Sequence, residues 1–219
     1  MSGHPIDPLH ECAVVPFIRT RSAERANCAV EWLSDAGFRT FELAVSIGGI
    51  VELVEELSGS VELDVGVGMV MDPAQADSCI EAGASFIVTP GVVTGIVEPC
   101  RRGGVACVLG ASTPSEVMQA RELGADAVKI FPVGSLGGVP YVKILKAMFP
   151  DVPLAPAGGI EIEEIASYLR AGAAFVGVGR ELTDTRALCS GDKDAIIDAA
   201  ANALEQAASA RTPPRNRKA

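Results

Sequence analysis

The sequence is poor in several features on which whole classes of function depend. Hydrophobic residues make up 48% of its 219 residues, yet no apolar run approaches the ~20 uninterrupted residues that cross a bilayer, so no membrane partner is expected. Residues 1–11 lack a basic stretch followed by an apolar one, so no signal peptide is expected, and a cytoplasmic enzyme-like protein is the default. Histidine occurs only as His4 and His10, both ahead of the first strand pattern. That leaves the core without the histidine that a Ser-His-Asp or Cys-His mechanism, or a His-ligated metal, would need. The cysteines Cys12, Cys28, Cys79, Cys100, Cys107 and Cys189 show no C-x-x-C spacing, which argues against a zinc site and against a secreted disulfide framework. Positive charge is scarce too. The net charge of −10 argues against a nucleic-acid partner, since phosphate binding needs a basic face. The basic residues from 211 onward, with Pro213 and Pro214 among them, read as a disordered tail over 211–219.

Lysine is also sparse, and this scarcity points to a site. Of the five lysines, Lys143 and Lys146 lie on a helical pattern, Lys193 in a Gly-Asp-Lys-Asp turn and Lys218 in the tail. Lys129 alone sits inside a short apolar, partly β-branched run, Ala127-Val-Lys-Ile-Phe131, which follows a helix signal closed by Gly124. A lysine in such a strand must find an anion or lose its proton, because an unpaired buried ammonium is very costly.

A unit recurs along the chain: a helical pattern, a glycine, then a short apolar strand. Gly37, Gly83, Gly103-Gly104, Gly124 and Gly172 each precede one, and each glycine reads as the left-handed cap that turns a helix back into a sheet. Strand patterns fall at 13–19, 40–44, 62–67, 86–89, 106–109, 127–131, 152–156 and 175–178. Helical patterns follow at 23–36, 50–57, 73–82, 95–102, 114–123, 140–149, 161–171 and 192–208. Ser22 and the Thr113-Pro-Ser-Glu116 capping box mark two helix starts. Eight βα alternations in this length predict one α/β domain over 1–210, a (β/α)8 TIM barrel with a lead-in over 1–12. A doubly wound open sheet is the alternative. It would normally carry a nucleotide loop, and Gly66-Val-Gly-Met69 lacks the third glycine of that fingerprint.

In a barrel the chemistry sits at the C-terminal ends of the strands. Those ends hold Arg19, Glu42, Gly66 to Met69, Thr89 with Pro90, Gly110, Lys129 with Phe131, Ala157-Gly-Gly159 and Gly177-Val-Gly-Arg180. Lys129 and Glu42 could form a purely structural ion pair, but such a pair adds little stability over an apolar one. The functional reading makes Lys129 a Schiff-base nucleophile, its neutral amine favoured by desolvation among Val128, Ile130 and Phe131, with Glu42 as general acid/base. The glycine turns after strands seven and eight could be simple tight turns. They also occupy the usual phosphate position of such barrels, where N–H groups at a helix N-terminus face an anion, with Arg180 adding charge.

Phe41-Glu-Leu43, Gly66-Val-Gly68, Val88-Thr-Pro-Gly91, Gly110-Ala-Ser-Thr-Pro114, Val128-Lys-Ile-Phe-Pro132, Pro140-Tyr-Val-Lys-Ile-Leu-Lys146 and Ala157-Gly-Gly-Ile160 together resemble the 2-keto-3-deoxy-6-phosphogluconate (KDPG) and 4-hydroxy-2-oxoglutarate aldolase family, in matching order from about residue 14 to 182. The resemblance implies a metal-independent class I aldolase, typically a homotrimer, with no cofactor beyond a covalent Schiff base and with a keto acid and an aldehyde as substrates. By the same resemblance, Lys129 would hold pyruvate, Glu42 would shuttle protons, Phe131 would pack beside the keto acid and Thr89-Pro90 would line the pocket. Arg19 would bind the carboxylate, and Gly158, Gly159 and Gly179 the distal phosphate. The chain departs from the family at four substrate-facing positions. Ser46 stands about where some members carry an arginine, Met69 and Ala157 replace threonines, and Arg180 replaces a serine. A phosphosugar isomerase or epimerase, and a non-catalytic barrel that binds anionic metabolites, are the rival readings.

Overall fold

Residues 5–211 are described by a computed structural model, Arg211 through its backbone alone. The strand patterns become β1 (Val14–Ile18), β2 (Thr40–Ala44), β3 (Asp64–Gly68), β4 (Phe86–Val88), β5 (Ala106–Ala111), β6 (Ala127–Ile130), β7 (Leu154–Pro156) and β8 (Val176–Val178). They form an eight-stranded parallel sheet in the order β7-β6-β5-β4-β3-β2-β1-β8. The outer strands meet through a parallel bridge between Ala157 and Gly177 and a 2.8 Å bond from the Ala174 N–H to the Leu154 carbonyl, which closes the sheet into a (β/α)8 barrel. The open-sheet alternative is thereby excluded.

Period-two alternation sorts each strand between two environments. Val15, Phe86, Val88, Ala106, Val108, Ala127, Ala155 and Phe175 point inward and form one cluster. Their neighbours, including Val14, Phe41, Leu43, Val65, Ile87, Leu109, Val128 and Ile130, face the helical layer. That layer comprises α2 (Ala23–Asp35), α3 (Ile50–Ser58), α4 (Pro73–Glu81), α5 (Val97–Gly103), α6 (Pro114–Leu123), α7 (Gly138–Met148), α8 (Ile165–Arg170) and α10 (Lys193–Arg211). The capping box at Thr113 is formed as its sequence implies, and the Ser22 hydroxyl accepts from the Arg25 N–H. Two helical patterns start as 3₁₀ turns, Thr94–Ile96 and Ile162–Glu164, and only then become α-helix. None of the described helices is long and apolar enough to cross a membrane. All six cysteines are free, with Cys79, Cys100 and Cys107 buried.

Two further helices are present. The lead-in contains α1 (Asp7–Cys12), and α9 (Thr185–Ser190) stands between β8 and α10. Helix α1 is too short to be stable alone. It is held by what it buries, because Ile6 and Leu9 join the inward cluster of the barrel. Leu9 shares a residual void of about 10 Å³ with Glu42 and Lys129, so it stands under both and plugs the bottom of the barrel. The tail expected over 211–219 lies outside the described residues, apart from the backbone of Arg211 that ends α10.

Leu9 is 1% exposed, and its replacement by Ala should cost about 2–4 kcal/mol through lost burial and the cavity left behind. Urea denaturation of the Leu9→Ala protein measures this. A loss below about 1 kcal/mol would mean that the plug contributes little to the core.

Candidate active site

Strands β2 and β6 lie half-way round the barrel from each other, so side chains pointing inward from them meet across its axis. Glu42 from β2 and Lys129 from β6 do so, with Lys129 Nζ 2.8 Å from Glu42 Oε1 and each residue 4% exposed. Apart from Phe17, the positions beside them in the sheet are small. Glu42 has Phe17 and Gly66 as its register partners, and Lys129 has Gly110 and Ala155. A Cβ on Gly68 would overlap the Glu42 carboxylate, and one on Gly66 would overlap the Phe86 ring. Glycine therefore makes the room that a glutamate and a lysine need inside an eight-stranded barrel.

The Lys129 ammonium is shielded by two rings, Phe17 at 5.2 Å and Phe131 at 5.4 Å from its Nζ. Desolvation thus comes from across the barrel and from the strand end. The sequence neighbours Val128 and Ile130 do not supply it, because alternation turns them into the helical layer. Phe131 is itself held in place. Its carbonyl accepts from the Ser112 hydroxyl at 2.7 Å, the Ser112 N–H donates to Glu116 Oε2, and the Tyr141 hydroxyl donates to the Ser112 carbonyl. The bond from the Ser112 N–H, followed by those from the Thr113 hydroxyl and N–H, holds the Glu116 carboxyl below the usual carboxylate range.

Above the pair opens a cleft of about 530 Å³ at the C-terminal face of the barrel. Of the residues expected to form the site, Arg19, Met69, Lys129, Phe131, Gly158, Gly159, Gly179 and Arg180 line it, with Glu42 just beneath. Three others stand apart from this lining. Ser46 is exposed in the turn after β2. Thr89 is buried, its hydroxyl donating to the Gly91 carbonyl and accepting from the Gly110 N–H. The Pro90 backbone packs where a Cβ on Gly110 would be. Met69 takes a left-handed backbone, φ +62°, which is uncommon for a residue with a side chain. Gly158 and Gly159 are left-handed as well, and a Cβ on Gly158 would press on the Phe131 ring.

The helix start after β7 differs from the anion-facing N-terminus expected there. The Glu161 N–H donates to Glu164 Oε2 and the Ile162 N–H to Glu181 Oε2 at 2.8 Å, while the Glu161 side chain accepts from the Glu164 N–H. Carboxylates therefore occupy those donors. Positive charge at the cleft comes instead from Arg19, Arg180 and Arg186. Arg186, Thr183, Asp184, Thr185 and Phe17 are cleft residues that sequence reasoning missed. Inward alternation along β1 could have found Phe17. The Asp184 cap of α9, whose Oδ1 accepts from the Arg186 and Ala187 N–H groups, could have revealed the rest. No group of three or more His, Cys, Asp or Glu side chains among the described residues could hold a metal ion.

Gly68→Ala should force the Glu42 carboxylate aside and destabilise the fold by about 1–3 kcal/mol, the usual effect of overpacking. Chemical denaturation together with a crystal structure of the variant checks this. An unmoved Glu42 would show that the room at Gly68 is not needed.

The model of the family described as "Aldolase: KDPG and KHG aldolase" matches residues 6–199. The chain is 31% identical over 195 residues to the KHG/KDPG aldolase of Escherichia coli strain K12, covering 89% of this chain and 92% of that protein. It is 28% identical over 203 residues to the 2-dehydro-3-deoxy-phosphogluconate aldolase of Pseudoalteromonas atlantica, covering 92% and 94%. Among solved structures, KDPG aldolase from Legionella pneumophila, with pyruvate captured at low pH as a covalent carbinolamine intermediate, superposes with a TM-score of 0.83 at 25% identity, over 91% of this chain and 97% of that one. With a buried lysine and glutamate at the floor of the barrel cleft and the family model matching nearly from end to end, the chain belongs to the KDPG and KHG aldolase family.

Proposed function

We propose that the protein is a class I aldolase that cleaves or forms a 4-hydroxy-2-oxo acid, with pyruvate as one product or substrate and an aldehyde as the other. The observation that carries this reading is the 2.8 Å contact of Lys129 with Glu42 at the floor of an open cleft. Proton transfer from the ammonium to Glu42 frees the amine, which attacks the C2 ketone of the substrate. Glu42 returns the proton to the carbinolamine oxygen, water leaves, and an iminium remains on Lys129. Glu42 then removes the C4 hydroxyl proton, directly or through a water. The electrons of the C3–C4 bond move into the iminium, the aldehyde departs, and an enamine is left. Glu42 delivers its proton to C3, and hydrolysis releases pyruvate and the lysine amine. The iminium is the electron sink for cleavage of the C3–C4 bond.

In this reading Arg19 takes the carboxylate and Phe131 packs beside the keto acid. Gly158, Gly159, Gly179 and Arg180 receive a distal anionic group. Thr89 and Pro90 act by shaping the wall, since the Thr89 hydroxyl is bonded within the fold. Ser46 belongs to the rim, where an incoming substrate passes. Met69 gives the pocket an apolar wall where the family's threonine would offer a hydroxyl. A cytoplasmic location is supported by the free cysteines. A single catalytic domain and a homotrimer complete the proposal. The trimer is supported by the exposed apolar side chains Met118 on α6 and Ile144 and Met148 on α7. Sedimentation velocity tests it, and a monomer at micromolar concentration would refute it.

Borohydride reduction in the presence of pyruvate should leave one reduced adduct, mapped to Lys129 by peptide mass and absent in Lys129→Ala. Glu42→Gln should still be trapped, but with turnover down by about 10²–10⁴-fold, the usual contribution of a general acid/base. Activity should persist in EDTA. No adduct, or loss of activity that a divalent ion restores, would overturn the mechanism.

A further inference from the structure

Beside the reaction cleft lies a second cavity of about 530 Å³, lined chiefly by Arg19, Thr20, Arg21, Arg25, Thr185 and Cys189. It shares Arg19 and Thr185 with the cleft, so the two abut at the mouth of the barrel. Arg21 follows β1 and Arg25 lies in the first turn of α2, where the Ser22 cap fixes the backbone. With Arg180 and Arg186 on the cleft side, five guanidiniums gather round one opening of a chain whose net charge is −10. Among the described residues none of the five has an ion-pair or side-chain hydrogen-bond partner. Elsewhere Arg39, Arg101, Arg102 and Arg170 each have one. Two acidic side chains near the opening are tied into the backbone, Asp184 capping α9 and Glu181 bonding the Ile162 N–H. Five unpaired guanidiniums gathered round one opening, where of the other arginines whose side chains are described only Arg121 is likewise without such a partner, are an arrangement for an anionic ligand.

We propose that this cavity is a second anion subsite of the aldolase reaction. It receives the outer negative group of an acceptor aldehyde that carries two, the inner one lying at the Gly158-Gly159 turn and Arg180. The substrate class is then a 4-hydroxy-2-oxo acid with two anionic groups on its aldehyde-derived half. The inference rests on the aldolase reading and adds Arg21 and Arg25 as specificity-determining residues outside the reacting centre.

The test uses alkanediol monophosphates and α,ω-bisphosphates of increasing length as competitive inhibitors of pyruvate addition to glyceraldehyde 3-phosphate. In the wild type a bisphosphate of matching length should inhibit about tenfold or more better than the monophosphate, through its second, tethered contact. In Arg21→Ala/Arg25→Ala that advantage should vanish while the monophosphate constant and the KM for glyceraldehyde 3-phosphate stay within about twofold, and Arg21→Lys/Arg25→Lys should regain most of it. The advantage should also shrink as salt rises. Equal inhibition by mono- and bisphosphates at every length, or an advantage that survives the double alanine change, would overturn the subsite. The aldolase reading is scored separately by borohydride trapping on Lys129, and calorimetric binding of the bisphosphate scores the subsite without turnover.

Discussion

One hydrogen-bonded ion pair, Lys129 with Glu42, crosses the barrel axis, and much of the surrounding sequence is arranged to tolerate it. Two charges taken out of water return little net stability, and either one alone would be strongly destabilising. Each must therefore find the other at bonding distance, and the barrel makes room for this through Gly66, Gly68, Gly110 and Ala155. Phe17 and Phe131 shield the ammonium from above while Leu9 seals the floor. The motifs that mark the family have physical duties around the same pair. The Thr89 hydroxyl fixes β5 at Gly110, beside Lys129, and the Ser112 hydroxyl holds Phe131.

What the sequence made legible follows from local chemistry. Gly124, at φ +89°, stops a helix just before β6, and Thr113 with Glu116 starts one; both signals lie within a few residues of their effect. Lys129 stood out because an apolar strand has no other use for an ammonium. The unread parts depend on distant partners. Helix α1 forms because Ile6 and Leu9 find the barrel's open bottom. The desolvation of Lys129 comes from β1 as well as from its own strand. The carboxylates at the Ile162–Glu164 turn include Glu181 from the loop after β8, a contact 19 residues away in the chain that no local pattern reports.

The charge distribution follows from the same economy. Several acidic side chains serve as helix caps and in surface ion pairs, where they satisfy the fold. Among the described residues the arginines at the mouth have no ion-pair partner. An acidic protein can thus present a positive opening, and an anionic substrate is drawn to the reacting end of the barrel rather than repelled by the whole surface.

The floor sealed by Leu9 makes the cleft a vessel with one neck, and this imposes a sequence on the traffic through it. In the proposed reaction pyruvate on Lys129 would lie at the bottom, with the aldehyde above it. In the direction of synthesis the keto acid must load first, because an aldehyde already seated would bar its way. In the direction of cleavage the aldehyde must clear the neck before water can reach the iminium that protonation of the enamine restores below. The order of binding and release is therefore written into a leucine on the side of the barrel opposite the substrate.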